Sequence, residues 1–369
     1  MIRNAVELNE VCAALRAGGL AALDTEFVWR TTNRPKLALV QLGAADGTSW
    51  AVDCLLALDT APLADLLRDA ATVKVLLHDA HQDLDHLFHY TGAKPVNVFD
   101  TQLAAAFAGL PAGLSLQKLL QETVDVGLAK TETTTDWMQR PLTDAQVSYA
   151  LDDVRYLGEA RAELLKRADA LGTRAWLDED LARYDEPALY GDPDPATVWT
   201  RVKCGRVHLD RRGLSFLRAL AAVRELRARE WNLPKTWLAD DASLAEMAAS
   251  GETAAARLRF RHRLRSGGRR DALAAAFAAA LRAAQDEPEA AWPDDPRPNY
   301  LPEVLDAAKE AVAFLRERAA EVHVDAAVVA NRAAVTAFVD NPDDAANPLA
   351  NGWRHEVFGR DIATRFAVP

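Results

Sequence analysis

Apolar residues in the first hundred positions gather into short runs: Leu20 to Leu23, Leu37 to Leu42, Trp50 to Leu56 and Val73 to Leu77. Their lengths and their flanking turn residues, Asp46-Gly47 among them, predict strands, some alternating and so antiparallel. Helical spacing follows in "DLDHLFHY" (83–90), "TQLAAAFAG" (101–109) and one long pattern over 144–168. The first part is therefore α/β. Two stretches rich in proline and acid, 185–197 and 286–298, read as unpacked linkers. Between them Phe216, Leu217, Leu220, Val223 and Leu226 recur at spacings of three and four, and Ser243 with Glu246 suggests a capping box. Beyond the second linker, Leu305, Ala308, Val312 and Leu315 form another apolar stripe. The expected domains are an α/β domain over 1–190 and two small helical domains over 196–285 and 299–369.

Composition changes this picture in two places. A chain of 369 residues exceeds one ordinary domain, and its three cysteines, Cys12, Cys54 and Cys204, are too few and too scattered for a disulfide framework, which points to a reducing cytoplasm. The apolar stretch "VCAALRAGGLAAL" contains Arg16 and two glycines and is too short to span a bilayer, so no membrane association is expected. No GxxxxGK[ST] loop is present, so no nucleotide cofactor is expected either. The net charge of −11 hides an asymmetry. Residues 1–199 hold 17 basic against 30 acidic residues, residues 200–270 hold 17 against 7, and the remainder hold 9 against 17. The basic island contains "RLRFRHRLRSGGRR", with Arg257, Arg259, Arg261, Arg263, Arg265, Arg269 and Arg270. Such a run is either a solvated helix face or a footprint for nucleic-acid phosphates, and its density in an acidic chain favours the second.

The candidate chemistry starts at "LDTEF". Alternate strand residues share a face, so Asp24 and Glu26 point one way and Thr25 the other. Two carboxylates about 4 Å apart repel by on the order of 4 kcal/mol at an effective dielectric near 20, so a compensating cation is implied. Asp83 lies at the start of the helical "DLDHLF", and Tyr149 and Asp153 stand four apart on one helical face that Asp152 does not share. If Asp24, Glu26, Asp83 and Asp153 converge, two divalent cations with oxygen ligands, Mg²⁺ or Mn²⁺, would neutralise them. A pair of ions about 3.5–4 Å apart suits phosphodiester hydrolysis. A tyrosine hydroxyl, with an ordinary pKa near 10, is a poor base at neutral pH, so water orientation is the role expected of Tyr149. Asp100 reads as a helix cap, and Asp85 and Asp152 as solvated helix residues. A competing site would use His78, His81, His86 and His89, but a metal there needs three or four of them to converge.

In order and spacing, "LDTEF", "HDAHQDLDHLF", "FDTQLAAAF" and "YALDDVRYL" resemble the exonuclease motifs of the DEDD superfamily in its tyrosine-containing branch. "KTETTTDWMQRPLT" and the helical segments behind it are similar to the bacterial ribonuclease D family, residues 200–285 to its HRDC helical domain, and "ANPLANGWRHEVFG" to its second such module. The resemblance implies an α/β ribonuclease-H-like exonuclease domain followed by two all-α HRDC-like domains. It further implies release of nucleoside 5′-monophosphates from an RNA 3′ end, with tRNA precursors as partners. Asp24, Glu26, Asp83 and Asp153 then fall on the family's metal ligands and Tyr149 on its water-positioning tyrosine; Gln82 departs from the acidic residue often found there. The alternatives are a 3′-5′ DNA exonuclease and a catalytically silent RNA-binding protein. The presence of all five site residues argues against the silent form.

Overall fold

The computed structural model describes residues 1–128, 135–186, 189–251, 264 and 268–368. The N-terminal apolar stretch forms α1 (Ala5–Gly18). It begins where the Asn4 side chain accepts the Glu7 amide at 2.9 Å and ends at Gly19, whose φ of 70° suits a residue without Cβ. Leu8, Val11, Cys12 and Leu15 are its buried face.

Five strands, β1 (Leu20–Val28), β2 (Lys36–Gly43), β3 (Ser49–Asp53), β4 (Lys74–Leu77) and β5 (Val98–Asp100), form one mixed sheet in the order β3-β2-β1-β4-β5. β2 and β3 are antiparallel around the expected Asp46-Gly47 turn, while β1 runs parallel to β4, and β4 to β5. β1 continues past the apolar run Leu20 to Leu23 and carries Asp24 and Glu26 on the strand, as their alternation required, whereas β5 was not among the expected strands because three residues show too little alternation. β1 pairs with β4 only through Leu20, Ala21 and Ala22, so the segment bearing Asp24 and Glu26 runs past that pairing. Open sheets place ligands beyond the carboxyl ends of parallel strands, and this is such an end.

Helices α2 (Ala61–Leu67), α3 (His81–Thr91), α4 (Thr101–Phe107), α5 (Leu116–Val124), α6 (Asp144–Arg155), α7 (Leu157–Leu171) and α8 (Arg174–Leu181) accompany the sheet. The single helix expected over 144–168 is two, because Tyr156 leaves helical geometry at φ −105° and ψ 1°. α6 opens with a reciprocal cap: Thr143 Oγ1 accepts the Gln146 amide at 3.2 Å, and Gln146 Oε1 accepts the Thr143 amide at 2.8 Å.

A second compact unit comprises Val28–Lys36 and Asp192–Asn299. Its helices are α9 (Arg211–Trp231), α10 (Lys235–Leu238), α11 (Asp241–Ser250) and α12 (Gly268–Gln285), and its core centres on Leu217, Leu220, Leu244, Leu273 and Phe277. Leu226, expected in the apolar stripe, is exposed instead. The expected capping box is also corrected: Asp240 caps α11 by accepting the Ser243 amide at 2.8 Å, so Ser243 lies inside the helix. The stretch 286–298 packs rather than dangling, since Glu287 receives Arg218 at 2.6 Å and the Ser215 hydroxyl.

Residues 300–369 group with the sheet-bearing domain in the first unit. They form α13 (Pro302–Glu321), α14 (Ala326–Val329), α15 (Arg332–Asp340), α16 (Gly352–Arg354) and α17 (Arg360–Phe366). Val304, Leu315, Phe338, Trp353, Phe358 and Ile362 belong to the same apolar core as Phe107 and Leu177. The stretch "GWR" explains the seam. Trp353 stacks on Trp176 at 5.2 Å between ring centres and donates its indole N–H to Asp180 at 2.9 Å, and Arg354 grips both oxygens of Asp180 at 2.6 Å. Tyr190, in the first expected linker, is likewise anchored, its hydroxyl donating to Tyr184 O at 2.8 Å. No helix among the described residues is long and apolar enough to cross a membrane.

Candidate active site

Asp24 and Glu26 leave β1 on one face, and Asp153 comes to them from the last turn of α6. Carboxylate oxygens of these three residues all lie within 4.8 Å of one another. α6 can approach the sheet closely because Gly43, at the end of β2, has no side chain: a Cβ there would stand 2.9 Å from the Val154 carbonyl oxygen. Asp152 turns away to pair with Arg155.

Asp83 projects from the first turn of α3 and is buried. It lies outside the close trio, yet its charge helps to raise the carboxyls of Asp24 and Glu26. The Thr25 hydroxyl donates to Asp83. That hydroxyl has one proton to give, so the Nδ1 of His86, 3.2 Å away, must be the donor to Thr25. Burial pushes the His86 pKa down to about 4, so the ring is a neutral imidazole with its proton on Nδ1. The opposite face of β1 thus fixes the carboxylate that the sequence places beside the pair.

The electrostatics are those of buried carboxylates of like charge held close together. Burial, then Asp83, Asp153 and Glu26, hold Asp24 well above the usual carboxylate range. Burial followed by Asp153 and Asp83 pushes Glu26 up to about 8. Asp153 is raised to about 7 by burial and by Asp152, and Asp83 to about 6, chiefly by burial and against the Thr25 hydrogen bond. An all-carboxylate, partly desolvated donor set of this kind fits a hard divalent cation and suits neither thiophilic nor imidazole-bound metals.

Tyr149 stands one turn before Asp153 on α6, its ring 6.2 Å from that of Trp137. The segment bearing Trp137 is pinned by Arg140, which pairs with both oxygens of Asp53 at 2.7 and 2.8 Å and donates to Ala38 O at 3.0 Å. Arg140 in turn holds the Asp53 carboxyl below its ordinary range.

Asp100 caps α4, accepting the amides of Gln102 at 2.8 Å and Leu103 at 3.3 Å, as its position suggested. It does more than cap. The same carboxylate accepts the Asp79 and Ala80 amides at 3.1 Å and the Tyr184 hydroxyl at 2.6 Å, so it fixes the turn, with Asp79 at φ 59°, from which α3 and Asp83 start. Asp100→Ala orphans four amides and a hydroxyl and is expected to destabilise the protein by about 3–5 kcal/mol, read from the denaturant midpoint. Asp100→Asn keeps one acceptor oxygen and should cost less.

The four histidines go separate ways. His78 donates to Leu114 O at 2.9 Å, His86 bonds Thr25, His89 lies 3.5 Å from Asp85, and His81 is exposed. Among the basic candidates, Arg269 lies over the Trp231 ring at 5.8 Å and Arg270 is on α12. Arg257, Arg259, Arg261, Arg263 and Arg265 lie outside the described residues. The sequence reading passed over Gly43 and the Arg140–Asp53 pair, took Thr25 only as facing away from the carboxylates, and weighed His86 only as a metal ligand. The one signal was the polar "DTEF" at the end of the apolar run Leu20 to Leu23, which contains Thr25.

A mixed sheet carrying carboxylates at the end of its parallel strands, with a third on a helix laid against it, defines a 3′-5′ exonuclease domain of the ribonuclease-H-like class. The family model described as 3′-5′ exonuclease matches residues 1–169. Ribonuclease D of Desulfotalea psychrophila is 43% identical over 62% of this chain and 60% of its own, and ribonuclease D of Pseudomonas paraeruginosa is 35% identical over 98% of this chain and 96% of its own. The crystal structure of Escherichia coli RNase D, described as an exoribonuclease involved in structured RNA processing, superposes with a TM-score of 0.84 at 29% identity, covering 99% of this chain and 97% of that one. The chain belongs to the ribonuclease D family and is a 3′-5′ exoribonuclease. Its substrate is RNA, and its fold implies the use of divalent metal.

Proposed function

We propose that the chain removes nucleoside 5′-monophosphates one at a time from the 3′ end of structured RNA in the bacterial cytoplasm, with tRNA precursors carrying 3′ trailers as the main substrates. Asp24, Glu26, Asp83 and Asp153 hold two divalent cations, Mg²⁺ or Mn²⁺, and Tyr149 orients the attacking water. When bound, such ions neutralise the phosphate, acidify water and stabilise the leaving oxygen. Glu26 and Asp153, facing each other from strand and helix, set the spacing at which the scissile phosphate is held. Asp83, gripped by Thr25, completes the anionic wall without being free to swing. The Tyr149 hydroxyl offers a lone pair to the water and keeps it in line with the scissile bond. Arg257, Arg259, Arg261, Arg263, Arg265, Arg269 and Arg270 neutralise phosphates further along the RNA, a role favoured by the surplus of 17 basic over 7 acidic residues in 200–270.

The observation that carries this reading is the trio of carboxylates within 4.8 Å, whose pKa values are raised by burial and, for Asp24 and Glu26, further by the neighbouring carboxylates. Its test is end-labelled RNA and DNA of one sequence incubated with Mg²⁺, with Mn²⁺ and with EDTA. The expected result is mononucleotide release from RNA with either ion and none with EDTA. Release undiminished by EDTA would remove the metal assignment, and faster release from DNA would shift the substrate.

A further inference from the structure

The second compact unit contains a cavity of about 640 Å³, a size ordinary for small-ligand pockets. Its walls include Trp29, Trp237, Arg30, Arg201, Lys235 and Thr32. Trp29 is 65% exposed, and among the described residues its indole has no ring or cation partner. An indole left in water beside a cavity offers a flat apolar face to a flat ligand.

The charges around the cavity sort into two sets. The acids on its floor are already satisfied: Asp241 pairs with Arg224 at 2.7 Å, and Glu225 with Arg229 at 2.8 Å and Lys235 at 2.6 Å. Arg30 and Arg201 are exposed, and among the described residues neither has an ion pair or hydrogen bond. The surplus is therefore two guanidiniums next to two indoles. The hydroxyl oxygen of Thr32 is buried and has no hydrogen-bond partner among the described residues, so a polar group of a ligand could satisfy it.

We propose that this cavity holds an unpaired nucleotide of the RNA, its base stacked on Trp29 and its phosphates on Arg30 and Arg201. A flat aromatic group joined to an anion matches both halves of the lining, and stacking on an aromatic side chain with arginine on the backbone is how single strands are held without sequence preference. The proposal rests on RNA being the substrate. It also says which part of the RNA is bound. Three peptide units separate Trp29 from Glu26, so their Cα atoms are within about 11 Å, and the captured nucleotide lies near the 3′ end. The enzyme then needs an unpaired 3′ tail, and a duplex end is a poor ligand.

The test measures binding of a short fluorescently labelled single-stranded RNA, and of a blunt duplex of the same length, to the full chain in EDTA, where no hydrolysis occurs. Trp29→Ala is expected to weaken single-strand binding roughly 5- to 150-fold and duplex binding hardly at all, while Trp29→Phe retains most of the affinity. Arg201→Gln is expected to lower the salt slope for the single strand by about 0.7 per lost phosphate contact. Unchanged single-strand affinity in Trp29→Ala, equal loss in the Ala and Phe variants, or equal loss on the duplex would each overturn the stacking assignment. Failure of the wild-type chain to degrade RNA with Mg²⁺ or Mn²⁺ would instead remove the exoribonuclease reading itself, so the two failures are distinguishable. Trp29 is exposed, so an unchanged melting temperature is the expected folding control.

Discussion

Asp24→Asn and Asp153→Asn are each expected to reduce RNA hydrolysis by roughly 10³-fold or more while leaving the fold intact. The size follows from the several kcal/mol that a bound divalent ion contributes to the transition state, at a factor of ten per 1.36 kcal/mol. The same substitutions should stabilise the metal-free protein. Carboxyls raised in the folded state, to about 6 for Asp83, about 7 for Asp153 and about 8 for Glu26, prefer their protons there. The folded state is therefore favoured at pH below the unfolded carboxyl values near 4, and that advantage is lost as pH rises through the raised values. Asp24→Asn removes one repelling charge, so at pH 8 without metal its stability should exceed that of wild type by roughly 1–3 kcal/mol, and the gap should close near pH 4. Added Mg²⁺ should reverse the order. Urea titrations at the two pH values, with and without Mg²⁺, beside single-turnover hydrolysis, check both halves. A variant with near-normal turnover at saturating metal would remove its residue from the site.

Tyr149→Phe is expected to lower the single-turnover rate by roughly 10²–10⁴, the usual scale for a group positioned at a proton transfer. The ring that packs near Trp137 remains, so the fold, the metal affinity and the RNA affinity should hardly change. Calorimetric metal titration beside single-turnover kinetics separates the roles. A metal dissociation constant that weakens as much as the rate falls would make the tyrosine structural.

The carboxylates were legible because each sits in a pattern with a strong period: two positions apart on a strand, four apart on a helix, or at the head of an amphipathic helix. What the chain order could not show was support from across the sheet. Thr25 was read only as pointing away from Asp24 and Glu26, yet its hydroxyl restrains Asp83, a residue 58 positions later. Arg140 reaches 87 residues back to Asp53. Gly43 matters only because of what approaches it. Local periodicity carries no information on such partners. Tyr156 shows the converse failure, since the apolar spacing runs through it unbroken while the backbone does not. The last helical segment was read as a module from the proline-rich stretch before it, its own apolar stripe and the resemblance of "ANPLANGWRHEVFG" to the family's second helical module. The side chains that bind it elsewhere, Trp353 and Arg354, meet Trp176 and Asp180 across almost half of the chain length.

That shared core has a consequence for how the protein is made. At about 5–20 residues per second, Trp353 leaves the ribosome roughly 9–35 s after Trp176, the ring on which it stacks. During that interval the whole of Asp192–Asn299 is synthesised and can close its own core. The sheet-bearing domain, begun first, is therefore completed last, and until then Trp176, Leu177 and Phe107 lack part of their cover. The nascent enzyme is most exposed to aggregation and proteolysis in the stretch of its synthesis that follows its catalytic residues.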